Sequence, residues 1–357
     1  MTYSRLEYIW IDNDYHLRSK IRVMEVTDFN NIPEWNYDGS STDQASTDNS
    51  EVVIKPRKIF TSTNDKHHLL VLCDTYDRDG NVLRTNNRNL ANDIFNKNLE
   101  EKPWFGMEQE YFLIDPQTGK PLGFNEHKTQ GQYYCSVGTE NAFGRSIAEQ
   151  HMLECINYGI QISGINAEVA PGQWEFQIGP CEAIEIGDHL WMGRYLLQRC
   201  AEEYNLIVSF EPKLYEDWNG SGCHTNYSTQ RMRDDGGIDF IREAISKLEI
   251  KHNEHMEVYG SGNENRLTGE HETARFNEFS YGVANREASI RIGRDVERTG
   301  KGYFEDRRPA ANMDPYLVTS KIFETTCLYD NENNDNNENN DEFNTHFENN
   351  EDLINWE

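Results

Sequence analysis

The stretch WFGMEQEY, from Trp104 to Tyr111, places two glutamates two positions apart within a run of aromatic and aliphatic residues. Such a run is typical of a largely buried strand, and alternate side chains of a strand point to the same face. Glu108 and Glu110 therefore share one face. Two like charges in apolar surroundings are costly unless a positive charge lies between them. The pair marks either the wet face of a half-exposed strand or one side of a metal site.

The chain has 357 residues, which is enough for two domains and a sizeable core. Residues 1–85 are rich in strand-forming segments, and we place a domain boundary before a helix that is predicted to begin near Thr85. A second domain is expected over 86–328. From about residue 329 to 357 the sequence is rich in Asn and carries about ten acidic residues but no Lys or Arg. This composition predicts a mostly disordered tail.

The formal net charge is −28, and it remains about −18 without the tail. This charge argues against a protein that binds nucleic acid, although ATP remains possible because a metal site supplies positive charge. Seven scattered cysteines without a C-x-x-C pair indicate reduced thiols. The sequence shows no signal-peptide pattern at its start and no membrane-span run, so we expect no membrane association and a cytoplasmic location.

Helical and strand-like segments interleave along the chain. We predict strands over 8–11, 21–26, 69–74, 160–169, 173–178, 206–210, 222–228 and 283–292. Helices are predicted from near residue 85 and over 145–158, 188–205, 237–259 and 315–329. The polar stretch 33–51 is predicted to be a long loop without a regular element. Short turns join several of the strands, which favours an α+β fold with a mostly antiparallel sheet.

Further carboxylates occur in similar surroundings. Glu168 and Glu175 flank the turn signal Pro171-Gly172, so a hairpin could bring them together. His224 follows a glycine-rich approach, where a lone His is more often structural than a ligand. Glu305 stands near two arginines, either as a surface ion pair or as a ligand beside an anion clamp.

Five Glu and one His indicate a site for hard cations, Mg²⁺ or Mn²⁺, with room for two or more ions. Several arginines lie in the C-terminal third, among them Arg266, Arg286, Arg291, Arg294, Arg307 and Arg308. Divalent ions that face arginines are what phosphoryl transfer requires. No Walker A, kinase-loop or GxGxxG pattern is present.

Eight blocks closely resemble glutamine synthetase of the eukaryote-type class II, in the family's order. They are WNYDGSST (35–42), PWFGMEQEY (103–111), NAEVAPGQWEFQIGP (166–180), GDHLW (187–191), NGSGCHTNYST (219–229), RLTGEHET (266–273), GVANREASIRI (282–292) and KGYFEDRRPAAN (301–312). The resemblance implies ATP-dependent ligation of ammonium to L-glutamate through γ-glutamyl phosphate, giving L-glutamine, ADP and phosphate. It implies a small β-grasp-like N-terminal domain, and a catalytic domain with a curved sheet and flanking helices.

The resemblance also assigns roles to matched positions. Glu110, Glu168 and Glu175 would hold a cation on the glutamate side, and Glu108, His224 and Glu305 one on the nucleotide side, with two or three ions per site. Arg286 and Arg307 would stabilise the transferring phosphoryl group. Arg266, Gly220, Arg291 and Glu51 would bind substrates. Trp104, Pro180, Asn226, Ser228 and Arg233 would line the nucleotide pocket. Asp38 would belong to the ammonium pocket, and Glu272 to a flap that shields the intermediate from water.

The resemblance further implies a homodecamer of two pentameric rings, with active sites between subunits. Two positions depart from the family: Glu51 stands where Asp is usual, and Gly293 replaces a common Pro. Two alternatives are another ligase that joins glutamate to a larger amine, and a catalytically dead homologue. The intact Asp38 loop, Glu272 and six metal-ligand positions argue against both.

Overall fold

A five-stranded sheet is formed by the N-terminal part of the chain. The computed structural model describes residues 3–29, 31–126 and 130–329, so the predicted tail lies, apart from Tyr329, outside the described residues. The strands of this sheet are β1 (Tyr3–Ile11), β2 (Leu17–Glu25), β3 (Trp35–Asp38), β4 (Glu51–Thr61) and β5 (His68–Asp77). Their order is β2-β1-β5-β4-β3, and only the central β1–β5 pair is parallel.

The two faces of this sheet are buried against different partners. Leu6, Tyr8 and Trp10 of β1 pack in a small core of the N-terminal sheet itself. Ile9 of β1 and Leu70 of β5 instead join the main core of the rest of the chain. Because neighbouring side chains of a strand point to opposite faces, this division follows from the alternation of β1.

A curved nine-stranded sheet organises the remainder. Its main path is β12-β13-β14-β11-β6-β9-β8, while β7 and β10 pair with β6 at its C-terminal end. The strands are β6 (Trp104–Asp115), β7 (Lys120–Pro121), β8 (Ile162–Ala167), β9 (Gln173–Glu182), β10 (Ile207–Ser209), β11 (Cys223–Ser228), β12 (Tyr281–Val283), β13 (Ile290–Ile292) and β14 (Phe304–Asp306). Every pair except β12–β13 is antiparallel. The predicted α+β class with a mostly antiparallel sheet is confirmed.

Helices pack against this sheet and against one another. They are α1 (Asn87–Phe95), α2 (Arg145–Asn157), α3 (Glu185–Glu203), α4 (Gln230–Arg233), α5 (Gly237–Ile250), α6 (His252–Met256), α7 (Arg294–Thr299) and α8 (Pro315–Phe323). Helix α3 is buried almost throughout and contributes Leu190, Met192 and Leu197 to the main core. It therefore supports the sheet from behind, and the functional residues are left on the other side.

Several predicted elements are wrong in detail. The stretch 33–51 contains β3 and a 3₁₀ turn over Gly39–Thr42. Strand β3 forms because Trp35 and Tyr37 alternate along the chain: Trp35 meets Tyr8 edge to face, and Tyr37 stacks on Trp10. The predicted strand 283–292 is two short strands, separated by a loop that begins at Ala284 with a φ of 52°.

Two predicted helices also differ from expectation. The helix predicted over 237–259 breaks after Ile250 into α5 and α6. Helix α8 ends at Phe323 and continues as a π-helical turn over Glu324–Leu328. All seven cysteines are free, as expected. Within the described ranges, no helix is both long and apolar enough to cross a membrane.

Candidate active site

Strand β6 aligns the candidate ligands of two neighbouring strands. On one side Glu110 lies opposite Glu175 of β9. On the other side Glu108 lies opposite His224 of β11. Residues 105, 107 and 109 are buried in the sheet, while 104, 106, 108 and 110 face the open side. The shared face that the sequence predicted for the two glutamates is therefore observed.

Glu110, Glu168 and Glu175 form the first group, called here the carboxylate cluster. One oxygen of each lies within 4.8 Å of the others, a spacing that could hold a metal ion. Their hydrogen bonds come from neutral donors: the Gly222 N–H to Glu110 Oε2 at 2.8 Å and the Asn166 amide to Glu168 Oε1 at 2.9 Å. No Lys or Arg among the described residues forms an ion pair with any of the three.

Burial raises the pKa of each of these carboxyls. The pKa reaches about 7 for Glu110, about 8 for Glu168 and about 9 for Glu175, and for the last two the charge of Glu110 adds to the burial. A charged carboxylate loses its hydration here, and its neighbours repel it. A divalent cation would remove both penalties, and carboxylates are ligands that Mg²⁺ and Mn²⁺ prefer. This donor set fits a hard cation.

Glu108, His224 and Glu305 form the second group, called the histidine cluster, which also meets the 4.8 Å spacing. His224 Nδ1 lies 3.5 Å from Glu108 Oε2 and 3.4 Å from Glu305 Oε1. Burial, with the nearby Arg307 guanidinium, holds the pKa of His224 well below its ordinary value. The imidazole is therefore neutral, the form in which histidine binds metals.

Arginines balance the charge of the histidine cluster. Arg307 Nη1 donates to Glu305 Oε1 at 2.8 Å, and the Arg291 guanidinium contacts the other oxygen of Glu305. Both arginines, with Arg266 and Arg286, line a cavity of about 480 Å³ that also contains both clusters except Glu305. Arg308 points away from this cavity into the interior, and Arg294 lies at the start of α7. The expectation that all six arginines face the cations is therefore wrong for these two.

Arg266 is buried beside a closely packed backbone. Its guanidinium donates to the carbonyls of Arg307 and Arg308 at 3.0 and 3.1 Å. A Cβ on Gly220 would lie 2.4 Å from the Pro212 carbonyl and 2.7 Å from Arg266 Cγ. Only glycine fits at position 220, and the backbone there can approach a ligand in the cavity closely.

The segment 268–275, called here the flap, borders the same cavity through His271, Glu272 and Thr273. The Glu272 carboxylate lies 3.4 Å from Arg286 Nη1, and the Glu272 carbonyl accepts from Arg307 Nη2 at 3.3 Å. The sequence-predicted flap residue and the two phosphoryl-site arginines therefore meet on one side of the cavity.

A separate group gathers at the start of β6. The Arg233 guanidinium lies 4.0 Å from the Trp104 ring centroid and donates to Ser228 Oγ at 2.9 Å. Asn226 links this end to the histidine cluster through its amide, which donates to Glu108 Oε1 at 2.9 Å. Pro180 lies in β9, which pairs with this end of β6. The five residues that the sequence predicts to bind the nucleotide therefore lie near the start of β6, on the side of Glu108 away from Glu110.

Asp38 and Glu51 lie opposite each other across β3 and β4, at the edge of the N-terminal sheet. Asp38 is fully exposed, accepts from Ser40 N and Oγ at 3.1 and 2.7 Å, and the Ser40 side chain lowers its pKa. Neither residue is among the described residues that line the cavity. A single chain does not bring these two positions to the metal clusters.

Sequence reasoning missed the residues behind β6. Arg194 of α3 is buried, and it donates to Gln109 Oε1 at 2.8 Å and to the carbonyls of Met313 and Ala311 at 2.9 and 3.0 Å. Gln109 sits between Glu108 and Glu110 but points the other way. The available signal was a charged residue inside the apolar run LWMGRYLL, residues 190–197. Arg194 fixes the strand that carries one candidate ligand of each cluster.

Comparison with known proteins identifies the family. Residues 84–239 match the family described as glutamine synthetase, catalytic domain. The chain is 53% identical to glutamine synthetase cytosolic isozyme 1-3 of Arabidopsis thaliana, over 90% of this chain and 94% of that protein. It is also 53% identical to the chloroplastic glutamine synthetase of Brassica napus, over 91% and 78% of the two chains.

A solved structure shares the fold. The Plasmodium falciparum glutamine synthetase structure matches with a TM-score of 0.73 at 17% identity, and the match covers 90% of this chain and 71% of that one. The chain belongs to the glutamine synthetase family. It is a glutamate–ammonia ligase that makes glutamine from glutamate and ammonia at the expense of ATP.

Proposed function

We propose that this chain is a class II glutamine synthetase that works through γ-glutamyl phosphate, with the carboxylate and histidine clusters as its two cation sites. The observation that carries this proposal is the pair of clusters on one face of β6, beside four arginines in one cavity. Phosphoryl transfer needs divalent ions and arginines next to each other, because charge spreads over the transferring oxygens.

The two clusters would serve the two reactants, glutamate as the phosphoryl acceptor and ATP as the donor. Glu110, Glu168 and Glu175 would hold a cation, Mg²⁺ or Mn²⁺, on the glutamate side. Glu108, His224 and Glu305 would hold one on the ATP side, with two or three ions per site in all. When bound, these ions supply neutralising charge between two anionic reactants. Since residues i and i+2 of a strand are about 7 Å apart, β6 sets the separation between donor and acceptor.

The arginines and the flap would act on the reacting groups. Arg286 and Arg307 stabilise charge on the phosphoryl group, and Arg291 lies beside them on Glu305. Arg266 and the backbone at Gly220 bind the substrate glutamate. Glu272 covers the acyl phosphate, excludes water, and takes part in deprotonating ammonium once it is bound.

The nucleotide would extend along the strands toward the start of β6. Trp104 and Arg233 form a stacked pair at that end, which offers an aromatic face and a cation to a base. Ser228 and Pro180 lie on the neighbouring strands, and Asn226 connects this end to Glu108.

The ammonium pocket would be completed by another copy of the chain. Asp38 and Glu51 are expected to contribute it, and in a single chain they do not line the cavity. We therefore propose a homodecamer of two pentameric rings, with residues 1–85 of one subunit closing the 86–328 domain of its neighbour. Sedimentation velocity of the full chain tests the assembly: a decamer is expected, and a monomer with full activity would contradict it.

We further propose a cytoplasmic location, since one of the relatives named above is a cytosolic isozyme. The other is a chloroplastic enzyme of the same identity, so location has to be measured directly. A fluorescent fusion is expected to stay in the cytoplasm, and accumulation in an organelle would overturn this proposal.

A coupled assay tests the activity and its cation. Glutamine formation from glutamate, ATP and ammonium is measured while Mg²⁺ and Mn²⁺ are varied, and phosphate release is followed with a panel of organic amines. We expect ammonium to support turnover far better than any amine. Turnover with organic amines alone would instead indicate a ligase of different acceptor specificity on the same scaffold.

A further inference from the structure

His252 connects two parts of the active site from behind. It begins α6, is 7% exposed, and forms two hydrogen bonds. Its Nε2 lies 2.9 Å from the Phe276 carbonyl oxygen, and its Nδ1 lies 3.0 Å from Arg308 Nη1. Neither bond contacts the cavity, so His252 can act on the reaction only through its partners.

The two partners fix the protonation of the ring. A carbonyl can only accept, and a guanidinium can only donate. The Nε2 atom must therefore carry the proton, while Nδ1 keeps its lone pair for Arg308. Burial lowers the pKa of His252 and the Arg308 charge adds to this, so the neutral form is stable. The ring is a fixed link with one donating and one accepting end.

The donating end holds the base of the flap. Phe276 follows the flap directly, and its N–H donates to the Leu267 carbonyl at 2.9 Å, across the bridge between Thr268 and Arg275. The ring of Phe279 meets His252 edge to face at 5.8 Å. The two ends of the flap are therefore joined next to Phe276, the residue whose carbonyl His252 bonds.

The flap tip needs such support. His271 and Glu272 have φ values of 52° and 60°, in the left-handed region that residues other than glycine seldom adopt. Backbone in this region costs about 1–3 kcal/mol per residue and persists only when its surroundings hold it. Contacts that hold the tip include the 3.3 Å bond from Arg307 Nη2 to the Glu272 carbonyl and the 3.4 Å contact between Arg286 Nη1 and the Glu272 carboxylate.

The accepting end of His252 leads to β14. Arg308 forms a doubly bonded pair with Asp306, Nε to Oδ1 at 2.9 Å and Nη2 to Oδ2 at 2.7 Å. Asp306 lies between Glu305 and Arg307 and points to the opposite side of the strand, where it is fully buried. Through Arg308, His252 ties the flap base to β14, which carries the candidate metal ligand Glu305 and is followed directly by Arg307, a candidate phosphoryl-binding residue.

We propose that His252 is a positioning residue that keeps the flap closed over the cavity and so limits loss of the activated intermediate to water. This inference rests on the proposed role of Glu272. In the unwanted step, water adds to the γ-carbonyl carbon of γ-glutamyl phosphate, and the bond from that carbon to the phosphate oxygen breaks. Glutamate and phosphate leave, so ATP is consumed without formation of glutamine.

Three variants of the full chain test this proposal. His252→Phe keeps a ring of similar size but loses both hydrogen bonds. His252→Gln retains an amide donor for Phe276 and an amide oxygen for Arg308. His189→Phe is the matched control, because His189 is a buried imidazole of α3 whose polar contacts are with the Gln161 N–H and the Glu185 carboxylate, away from the flap and from Arg308.

Two measurements are made on each variant. The first is the ratio of phosphate released to glutamine formed at saturating ATP and glutamate and limiting ammonium. The second is hydrogen exchange of the backbone amides of residues 267–276, which needs no activity. For His252→Phe we expect the ratio to rise severalfold and exchange in this segment to accelerate about tenfold. His252→Gln should lie close to the wild type, and His189→Phe should leave both readouts unchanged even if it lowers the thermal midpoint.

The results separate this proposal from the function it rests on. Unchanged exchange and an unchanged ratio in His252→Phe would overturn it, as would equal changes in His189→Phe. If wild-type protein forms no glutamine but the exchange pattern is as expected, the flap link stands and the proposed function fails. If His252→Phe does not fold, failure of His252→Gln to restore both wild-type readouts would overturn the link.

Discussion

The carboxylate cluster and the histidine cluster share one face of β6, but their charges are balanced differently. The three glutamates of the first cluster receive hydrogen bonds only from amides, and the pKa of each is raised. In the second cluster, Arg307 and Arg291 contact Glu305 directly. A cation that binds the first cluster would have to displace protons, whereas one that binds the second would compete with arginines for Glu305.

Loss of a ligand from the carboxylate cluster should have the largest effect. Glu175→Ala is expected to reduce glutamine synthesis by more than the 10–100-fold that outer-shell changes around metals cost, and to leave the oligomer assembled. The measurements are the steady-state rate and sedimentation velocity. Glu243→Ala, at an exposed carboxylate of α5, is the control. Near wild-type activity of the Glu175 variant would remove the first cation site from this account.

A change behind β6 should disturb both clusters together. Arg194→Met leaves Gln109 Oε1 and the Met313 carbonyl without their donor, which should lower the free energy of unfolding by about 2–5 kcal/mol. Because Gln109 lies between Glu108 and Glu110, the KM values for ATP and for glutamate should both rise, and the rate should fall about tenfold. An increase of only one KM would show that the strand does not couple the clusters. Arg298→Met, at an exposed arginine, controls for loss of charge.

The raised pKa values predict how cation binding depends on pH. Each carboxyl of the first cluster must lose its proton to bind, so affinity for Mn²⁺ should rise as pH increases from about 6 to 9. In the metal-free protein, stability changes with pH in the opposite direction, because these carboxyls hold protons in the folded state that the unfolded chain has already released. The metal-free protein should therefore lose stability over the same pH range.

Isothermal titration at several pH values measures how Mn²⁺ affinity depends on pH, and thermal unfolding measures how the stability of the metal-free protein does. Glu168→Gln should flatten both, because it removes one of the titrating groups, while Glu243→Gln should change neither. Mn²⁺ affinity that does not depend on pH would contradict the raised pKa values.

The smallest effect is expected from the acidic tail. Truncation before Asp330 removes about ten acidic residues but none of the cavity residues. Glutamine synthesis should stay within about twofold of the full chain, measured at equal active-chain concentration. A large loss of activity would mean that the tail contributes to the site or to the assembly.

Local sequence patterns predicted much of this fold and site. The alternation in β6 indicated that Glu108 and Glu110 share a face, and the Pro171-Gly172 turn indicated that Glu168 and Glu175 meet. Both follow from the period of a strand and the geometry of a hairpin. The assignment of substrates to individual residues came from the resemblance to a family, since spacing alone cannot distinguish one anionic ligand from another.

What the sequence did not predict depends on contacts between distant segments. Arg194 and Gln109 are 85 positions apart, and His252 meets Phe276 and Arg308 only through tertiary packing. Trp35 and Tyr37 form a strand inside a polar stretch because they pack against aromatic rings of β1. Helix and strand propensities depend on neighbours along the chain, whereas the positions of these residues depend on contacts with residues that are distant in sequence.

The central claim is that β6 holds two separate cations, one per cluster. Anomalous diffraction from crystals of the full chain with Mn²⁺ and ADP tests it directly. We expect at least two manganese peaks, one among Glu110, Glu168 and Glu175 and one among Glu108, His224 and Glu305. In Glu175→Ala crystals only the second should remain strong. A single peak shared by Glu108 and Glu110, or no peak at the carboxylate cluster, would contradict the account.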